Sequence, residues 1–171
     1  MQGVIIRNAD ISDLYAVTEL ESRCFPIAEA ADRKAFELRL RKYPECFWVA
    51  ENDKQIICMI NGMTTYEKDL CDEMYEDSEL YAPDGNWLML FGVAALPEYQ
   101  HKGYASQLMW YVIDETSKQK RRGIVLTCKE KLIPFYEKFG YVSEGISDSV
   151  HGDAVWYQMR LTFKDGGSHV S

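Results

Sequence analysis

The sequence predicts an α/β fold, with a mixed central sheet of about seven strands flanked by about four helices. A nearly continuous apolar run at residues 87–95 is typical of a strand buried on both faces. A long amphipathic helix is indicated soon after it, with Leu108, Met109 and Val112 on its buried face. The final strand alternates apolar and polar side chains. These three patterns together favour helices packed on a mixed sheet.

Caps and chain breaks divide the sequence into elements. Asp10 or Ser12 is suited to cap the first helix, and Pro44 ends the second. The turn at residues 52–54 joins two strands into a hairpin. The predicted order is a strand at 3–7, a helix to about 23, a helix at 31–43, strands at 47–51, 55–65 and 87–95, a helix at 106–122, a strand at 124–128, a short helix around Tyr136, and strands at 141–146 and 154–163.

The composition predicts one domain at residues 1–163 and a polar tail at 164–171 that frays. The formal charge of −8 argues against sequence-independent binding to the phosphates of nucleic acid. No apolar run approaches the roughly 20 residues that a membrane span needs, and the first residues do not resemble a signal peptide. We therefore expect a soluble, cytoplasmic protein that binds neither nucleic acid nor membrane.

The five cysteines lie far apart, with no C-x-x-C pair and no histidine spacing suited to zinc. They predict reduced thiols and no metal site. Cys128 ends the strand that precedes Tyr136. It is either a buried apolar residue or part of the wall of an acyl site.

The segment Gln100–Ala105 lies where the apolar strand gives way to the long helix. A helix N-terminus has unpaired N–H groups and a partial positive charge, so it suits a phosphate anion. Gly103 lets the backbone approach closely, and Lys102 adds positive charge. The segment therefore predicts a pyrophosphate site, with an ordinary strand-to-helix turn as the alternative.

The pattern Q-x-x-G-x-A at Gln100–Ala105 resembles the motif of the GNAT superfamily, the acetyl-CoA-dependent N-acetyltransferases. A second match follows about thirty residues later, at T-C-K-E-K-L-I-P-F-Y-E-K-F-G, and is similar to the arylalkylamine N-acetyltransferase branch. Cys24-Phe25 and the turn at residues 43–46 fall in the same order as in that branch. The resemblance covers roughly residues 3–163, and its two motifs are the specific part.

This resemblance implies the GNAT (acyl-CoA N-acyltransferase) fold and acetyl-CoA as co-substrate, without a metal. The implied reaction is direct attack of a primary amine, from an arylalkylamine or a polyamine-like molecule, on the acetyl group. A protein N-terminus or a lysine side chain is the alternative acceptor. An acyl-CoA-binding module with little catalysis is the alternative of another class. A homodimer is common among such enzymes.

The resemblance also assigns roles to residues. Tyr136 becomes the general acid that protonates the departing thiolate. Gly92 would permit the bulge that exposes the backbone of the central strand to the cofactor. The cofactor-binding residues are then Gly92, Val93, Ala94, Ala95, Gln100, His101, Lys102, Gly103, Tyr104, Ala105, Ser106, Phe135 and Tyr136.

The general base is where the sequence departs from the branch it resembles. Met89 and Phe91 stand where that branch has two histidines, and neither can take a proton. Glu29 is one replacement, since its loop covers the amine pocket in the resembling enzymes; a capping or solvent-facing role is the alternative. His151 is the other, since its loop borders the acceptor site in this fold; a surface turn is the alternative.

The stretch 67–84 is strongly acidic and includes a single lysine, Lys68. Beside an active site, such a loop could steer cationic amines. A solvated loop without that role is the alternative.

Overall fold

A computed structural model describes residues 3–164 and 168–169, and its elements follow the predicted order. The predicted mixed α/β sheet with four helices is confirmed for this part of the chain. The elements are β1 (Val4–Asn8), α1 (Leu14–Cys24), α2 (Arg33–Lys42), β2 (Phe47–Asn52), β3 (Gln55–Thr65), β4 (Trp87–Ala95), α3 (Tyr104–Lys118), β5 (Gly123–Cys128), α4 (Ile133–Glu137), β6 (Val142–Ile146), β7 (Tyr157–Lys164) and β8 (Ser168–His169).

The described chain separates into two compact units. The first unit contains the residues up to Gly62 together with Gly92–Met109. The second unit contains Met63–Phe91 and the residues from Trp110 onward. Strands β3 and β4 and helix α3 each contribute residues to both units, so each unit is described below by itself.

The first unit is built on the antiparallel strands β1, β2 and β3 in that order. The end of β4 joins β3, where the Leu96 N–H donates to the Ile57 carbonyl at 2.9 Å. Helices α1 and α2 bury apolar stripes that include Val17, Leu20 and Phe36. The carboxylate of Asp32 accepts the Ala35 N–H at 2.9 Å and caps α2.

The second unit has the strand order β4-β5-β7-β6. Strand β5 runs parallel to β4 and antiparallel to β7, which makes the sheet mixed. The ladder between β4 and β5 extends from Trp87 to Leu90, and β4 itself continues to Ala95. The backbone after Leu90 therefore lies beyond this ladder within the described chain.

Two predicted elements have boundaries that differ from those of the structure. Helix α3 covers Tyr104–Lys118 and not 106–122, because Gly103 already accepts the Gln107 N–H and Lys120 has a left-handed φ of 62° that no helix continues. Strand β7 begins at Tyr157 and not at 154, because residues 151–153 form a 3-10 turn in which Gly152 has a φ of 64°.

Part of the predicted tail, residues 164 and 168–169, lies in strands at the positions that the structure describes. Lys164 is the last residue of β7, and it pairs with Ser168 of β8. The rest of that prediction, residues 165–167 and 170–171, lies outside the described residues. Among the described helices, none combines the length and apolar character needed to cross a bilayer.

Candidate functional site

The start of α3 has the geometry of an anion site. Gly103 has a φ of 88°, a left-handed value that glycine adopts without strain, and its carbonyl accepts the Gln107 N–H at 3.0 Å. The N–H groups of Tyr104, Ala105 and Ser106 are therefore those of the first turn, which have no partner within a helix. Because α3 is 15 residues long, its dipole adds positive potential at this end.

The loop before α3 is held by side-chain hydrogen bonds to the end of β4. Gln100 Nε2 donates to the Ala95 carbonyl at 3.0 Å, and the Cys24 thiol donates to the same oxygen at 3.1 Å. His101 and Lys102 are exposed at the tip of the loop, and His101 has a left-handed φ of 62°. Gln100 thus positions the loop, while the side chains of His101 and Lys102 remain accessible to a ligand.

The end of β4 brings the remaining predicted cofactor residues of the first unit to this loop. Gly92 and Val93 are half-buried, whereas Ala94 and Ala95 are buried. A Cβ placed on Gly92 would lie 3.6 Å from Asn61 Nδ2 and 3.8 Å from Glu21 Oε1. Two polar atoms from other elements therefore flank this position.

These atoms belong to a buried polar cluster, formed by Glu21, Arg39 and Asn61, that our sequence prediction missed. The three residues are 6%, 2% and 1% exposed. Arg39 Nη1 donates to Asn61 Oδ1 at 2.9 Å, and Glu21 Oε2 accepts the Ala31 N–H at 2.9 Å. Since burying charged groups is costly without hydrogen bonds, these contacts hold the cluster in a fixed arrangement.

A sequence signal for the cluster existed. Glu21 follows Leu14 and Val17 at helical spacing, and Arg39 follows Phe36 in the same way. Both charged residues thus occupy positions on the buried stripes of their helices. A charge on a buried stripe indicates either an internal ion pair or a site.

In the second unit, Tyr136 lies on α4 and is 6% exposed. Its ring packs edge-on against Phe135 at 5.1 Å and against Tyr141 at 5.8 Å. Burial, with a smaller contribution from nearby Cys128, raises the pKa of Tyr136 well above its usual range. Tyr136 therefore holds its proton more tightly than an ordinary phenol, which is itself protonated at neutral pH.

Cys128 is also buried, and burial raises the pKa of its thiol to about 11. Only a small fraction is thiolate at neutral pH, and the thiolate is the nucleophilic form. Cys128 is thus unsuited to carry the acyl group itself. Its burial agrees with the apolar role that the sequence left open.

His151 belongs to an aromatic series in the second unit. It stacks on Tyr75 with ring centroids 4.6 Å apart, and Tyr75 contacts Phe91 at 5.1 Å. Asp72 holds the adjoining loop by accepting the Val150 N–H at 3.0 Å and the Ser149 hydroxyl. The structure therefore links His151 through one ring to Phe91, where the resembling branch has a histidine, while Met89 is fully buried.

The other candidate base, Glu29, lies in the turn between α1 and α2 and is half-buried. The N–H groups of Glu29 and Ala30 donate to the Pro26 carbonyl, each at 2.9 Å. This turn fixes the backbone of the loop. In the same unit, Glu21 is the more deeply buried carboxylate.

Some carboxylates of the acidic stretch at residues 67–84 accept hydrogen bonds within the second unit. Asp69 accepts from the buried guanidinium of Arg160, which also lies 4.7 Å from the centre of the Trp87 ring. Asp72 binds the loop before His151, as described above. By contrast, Glu73, Glu76, Asp77 and Glu79 are exposed. The stretch thus combines structural carboxylates with solvated ones.

Comparisons with known proteins identify the family and the fold. A family model described as "Acetyltransferase (GNAT) family" matches residues 14–141. Serotonin N-acetyltransferase of Mesocricetus auratus is 28% identical over 90 residues, which cover 52% of this chain and 44% of that relative. The match therefore spans less than half of the length of that curated relative.

Two solved structures illustrate the fold. A ribosomal-protein-S18-alanine N-acetyltransferase from Escherichia coli superposes with a TM-score of 0.71 and 18% identity, covering 98% of this chain and 96% of that one. GphF, a GNAT-like decarboxylase in complex with isobutyryl-CoA, gives a TM-score of 0.79 and 19% identity, covering 92% of this chain and 98% of that one. At these identities the likeness shows the fold alone.

Proposed function

We propose, since the chain belongs to the GNAT family of acetyltransferases, that it moves the acetyl group of acetyl-CoA onto a primary amine by direct attack. The observation that carries this proposal is the start of α3. There a left-handed Gly103 introduces a 15-residue helix whose first N–H groups are not used within the helix. Residues 100–106 thus fit the diphosphate of coenzyme A.

In this proposal the N–H groups of Tyr104, Ala105 and Ser106 bind the diphosphate, and Lys102 adds charge. Gln100 contributes by holding the loop through its bond to the Ala95 carbonyl. The backbone of β4 after Leu90 binds the rest of the cofactor, because the ladder to β5 has ended there. Bound acetyl-CoA supplies the acetyl group as a thioester. A preorganised backbone N–H aimed at the acetyl oxygen is worth roughly 2.7–4 kcal/mol.

Tyr136 is the proposed general acid, which protonates the departing thiolate. What supports this role is the place of Tyr136 in the second motif and its burial on α4 near Cys128, whereas the raised pKa makes its proton harder to release. The raised pKa of Cys128, about 11, supports direct attack by the amine over transfer through that thiol. Phe135 packs edge-on against the Tyr136 ring and so helps to orient it.

A base must remove the proton from the amine, because an alkylamine with a pKa near 10.4 is almost entirely protonated at neutral pH, roughly like lysine. His151 is the first candidate, since its stack on Tyr75 connects it to Phe91. Glu29 is the second, since its side chain is half-buried in the turn after α1. The acceptor in this proposal is an arylalkylamine or another small primary amine.

The test is thiol release from acetyl-CoA by the purified protein with tyramine, tryptamine, phenethylamine, spermidine and a peptide with a free N-terminus. We expect saturable release with at least one acceptor class. Binding of acetyl-CoA is measured calorimetrically in the same preparation. Tight binding with no release above the uncatalysed background for any acceptor would overturn the transferase and favour a binding module.

A further inference from the structure

The polar cluster of the first unit presents two atoms to the side of Gly92. Only Asn61 Nδ2, at 3.6 Å, and Glu21 Oε1, at 3.8 Å, come within 4 Å of the Cβ position that Gly92 lacks, among the atoms that the structure describes outside its chain neighbours. An apolar core position would be lined by carbon atoms. This position therefore has the chemistry of a binding site for a small polar group.

Asn61 supplies the observation that points to a ligand. The residue is 1% exposed, its Oδ1 accepts from Arg39, and its Nδ2 has no hydrogen-bond partner among the residues that the structure describes. Arg39 fixes the orientation of the amide, so that the oxygen faces the guanidinium. A buried donor left without a partner is unfavourable, and a carbonyl oxygen of a ligand would satisfy it.

Glu21 supplies the complementary chemistry. Its Oε2 accepts the Ala31 N–H, which fixes the carboxylate, and its Oε1 is the atom near Gly92. A buried carboxylate attracts an ammonium group more strongly than an exposed one does, because screening by solvent is reduced. The ligand that suits both atoms thus has an ammonium group close to a carbonyl oxygen.

We propose that this site binds the α-aminoacyl head of the acceptor, the N-terminus of a peptide or an amino acid amide, and not a plain alkylamine. The ammonium group lies against Glu21, and the adjacent carbonyl oxygen accepts from Asn61 Nδ2. Arg39 is a positioning residue that orients Asn61. The inference rests on the proposed transferase function and, among primary amines, selects α-aminoacyl acceptors in place of the arylalkylamines named there. A plain arylalkylamine would leave the amide donor of Asn61 unsatisfied.

The test compares two acceptors that differ by one group. Phenylalanine amide and phenethylamine share the ammonium group and the benzyl side chain, and only the former has a carbonyl oxygen. We expect kcat/KM, expressed per neutral amine because an α-amino group has a lower pKa than an alkylamine, to be roughly 10²-fold higher for phenylalanine amide, because a site built for a hydrogen bond discriminates against an analogue that lacks it. Calorimetric titration of both compounds, with coenzyme A present, gives the same comparison without turnover.

Two variants test the assignment to residues. Asn61→Leu removes the amide donor, so the ratio of the two kcat/KM values should fall to near one; this ratio is independent of the fraction of folded enzyme. Gly92→Ala adds a methyl group at ordinary contact distances from its neighbours, so it should fold normally and weaken binding of phenylalanine amide. Ser22→Ala, at an exposed position of α1, is the matched control and should change neither value.

The outcomes separate this inference from the function on which it rests. Absence of turnover, with a retained calorimetric preference for phenylalanine amide, would contradict the transferase and support the site. Turnover of both acceptors at equal rates, unchanged by Asn61→Leu, would support the transferase and overturn the site, leaving a water molecule as the partner of Asn61. A preference for phenethylamine would also overturn it.

Discussion

The two units of this protein bury opposite kinds of side chain at their candidate sites. The first unit buries Glu21, Arg39 and Asn61; Arg39 donates a hydrogen bond to Asn61, and Glu21 accepts one from the loop backbone at Ala31. The second unit surrounds Tyr136 with the rings of Phe135 and Tyr141. Buried hydrogen-bonding groups select a ligand by the positions of its donor and acceptor atoms. An apolar environment instead favours the neutral form of the side chain that it surrounds.

From this difference we infer that the two units have different roles in the proposed reaction. In the proposed function, the first unit, with the loop at Gly103 and the polar cluster, recognises the ligands. In the same proposal the second unit, with Tyr136, donates the proton. Substitutions in the second unit should therefore change turnover, and substitutions in the first unit should change affinity or selectivity.

The largest effect is expected from Tyr136→Phe. Phenylalanine keeps the ring packing but has no proton to give, so kcat should fall roughly 10³-fold, within the range for a general acid. The dissociation constant of acetyl-CoA should stay unchanged, and both are measured in one preparation. Tyr141→Phe, a second buried tyrosine, is the control and should retain most of kcat. A large change in the affinity for acetyl-CoA with kcat preserved would contradict the assignment of proton transfer to the second unit.

A smaller loss is expected from His151→Phe. The new ring can still stack on Tyr75 but cannot accept a proton, so kcat/KM should fall roughly 10²-fold if His151 is the base. Steady-state kinetics on Glu29→Gln provide the matching experiment for the other candidate. If both variants keep their activity, neither residue is the base, and the proton transfer belongs elsewhere.

Gly103→Ala is expected to lower the affinity for acetyl-CoA without changing kcat. A left-handed φ costs a non-glycine residue roughly 1–2 kcal/mol, so acetyl-CoA binding should weaken about 5- to 30-fold as the loop relaxes. Gly145→Ala is a matched control, because Gly145 also has a φ of 88° and a Cβ there would meet no atom within 4 Å. Both variants should lose similar stability, but only Gly103→Ala should lose calorimetric affinity.

The smallest effect concerns stability in alkali. Burial raises the pKa of Tyr136, so the unfolded chain releases the phenol proton at a lower pH than the folded chain does. Stability is therefore complete below about pH 10, the ordinary value, and falls above it by up to about 1.4 kcal/mol per pH unit from this group. Urea unfolding at successive pH values should show a shallower loss for Tyr136→Phe. An identical slope would mean that Tyr136 is not desolvated.

The two units also differ in how far their sites could be predicted from sequence. Tyr136 was proposed from its place in a motif that resembles the GNAT family, and the loop at Gly103 from its position between a strand and a helix, so both predictions needed only a few neighbouring residues. The bounds of β4 were predicted to the residue, since a continuous apolar run has clear ends.

The polar cluster was missed because α1, α2 and β3 each contribute one residue to it, and no local pattern connects them. The end of α3 was missed for a different reason: the left-handed conformation of Lys120 depends on the chain that follows, where the Arg122 N–H donates to the Asn86 carbonyl at 2.7 Å. Long-range contacts decided both features. Charged residues on the buried stripes of α1 and α2 were the signal that was available.

The most direct test of the central claim is to identify the product. Wild-type protein is incubated with acetyl-CoA and an acceptor amine, and mass spectrometry quantifies the acetylated amine beside the thiol released. The account predicts one N-acetylated amine for each thiol, and the loss of both in Tyr136→Phe. Thiol release without any acetylated amine would show hydrolysis of the thioester and would contradict transfer to an amine.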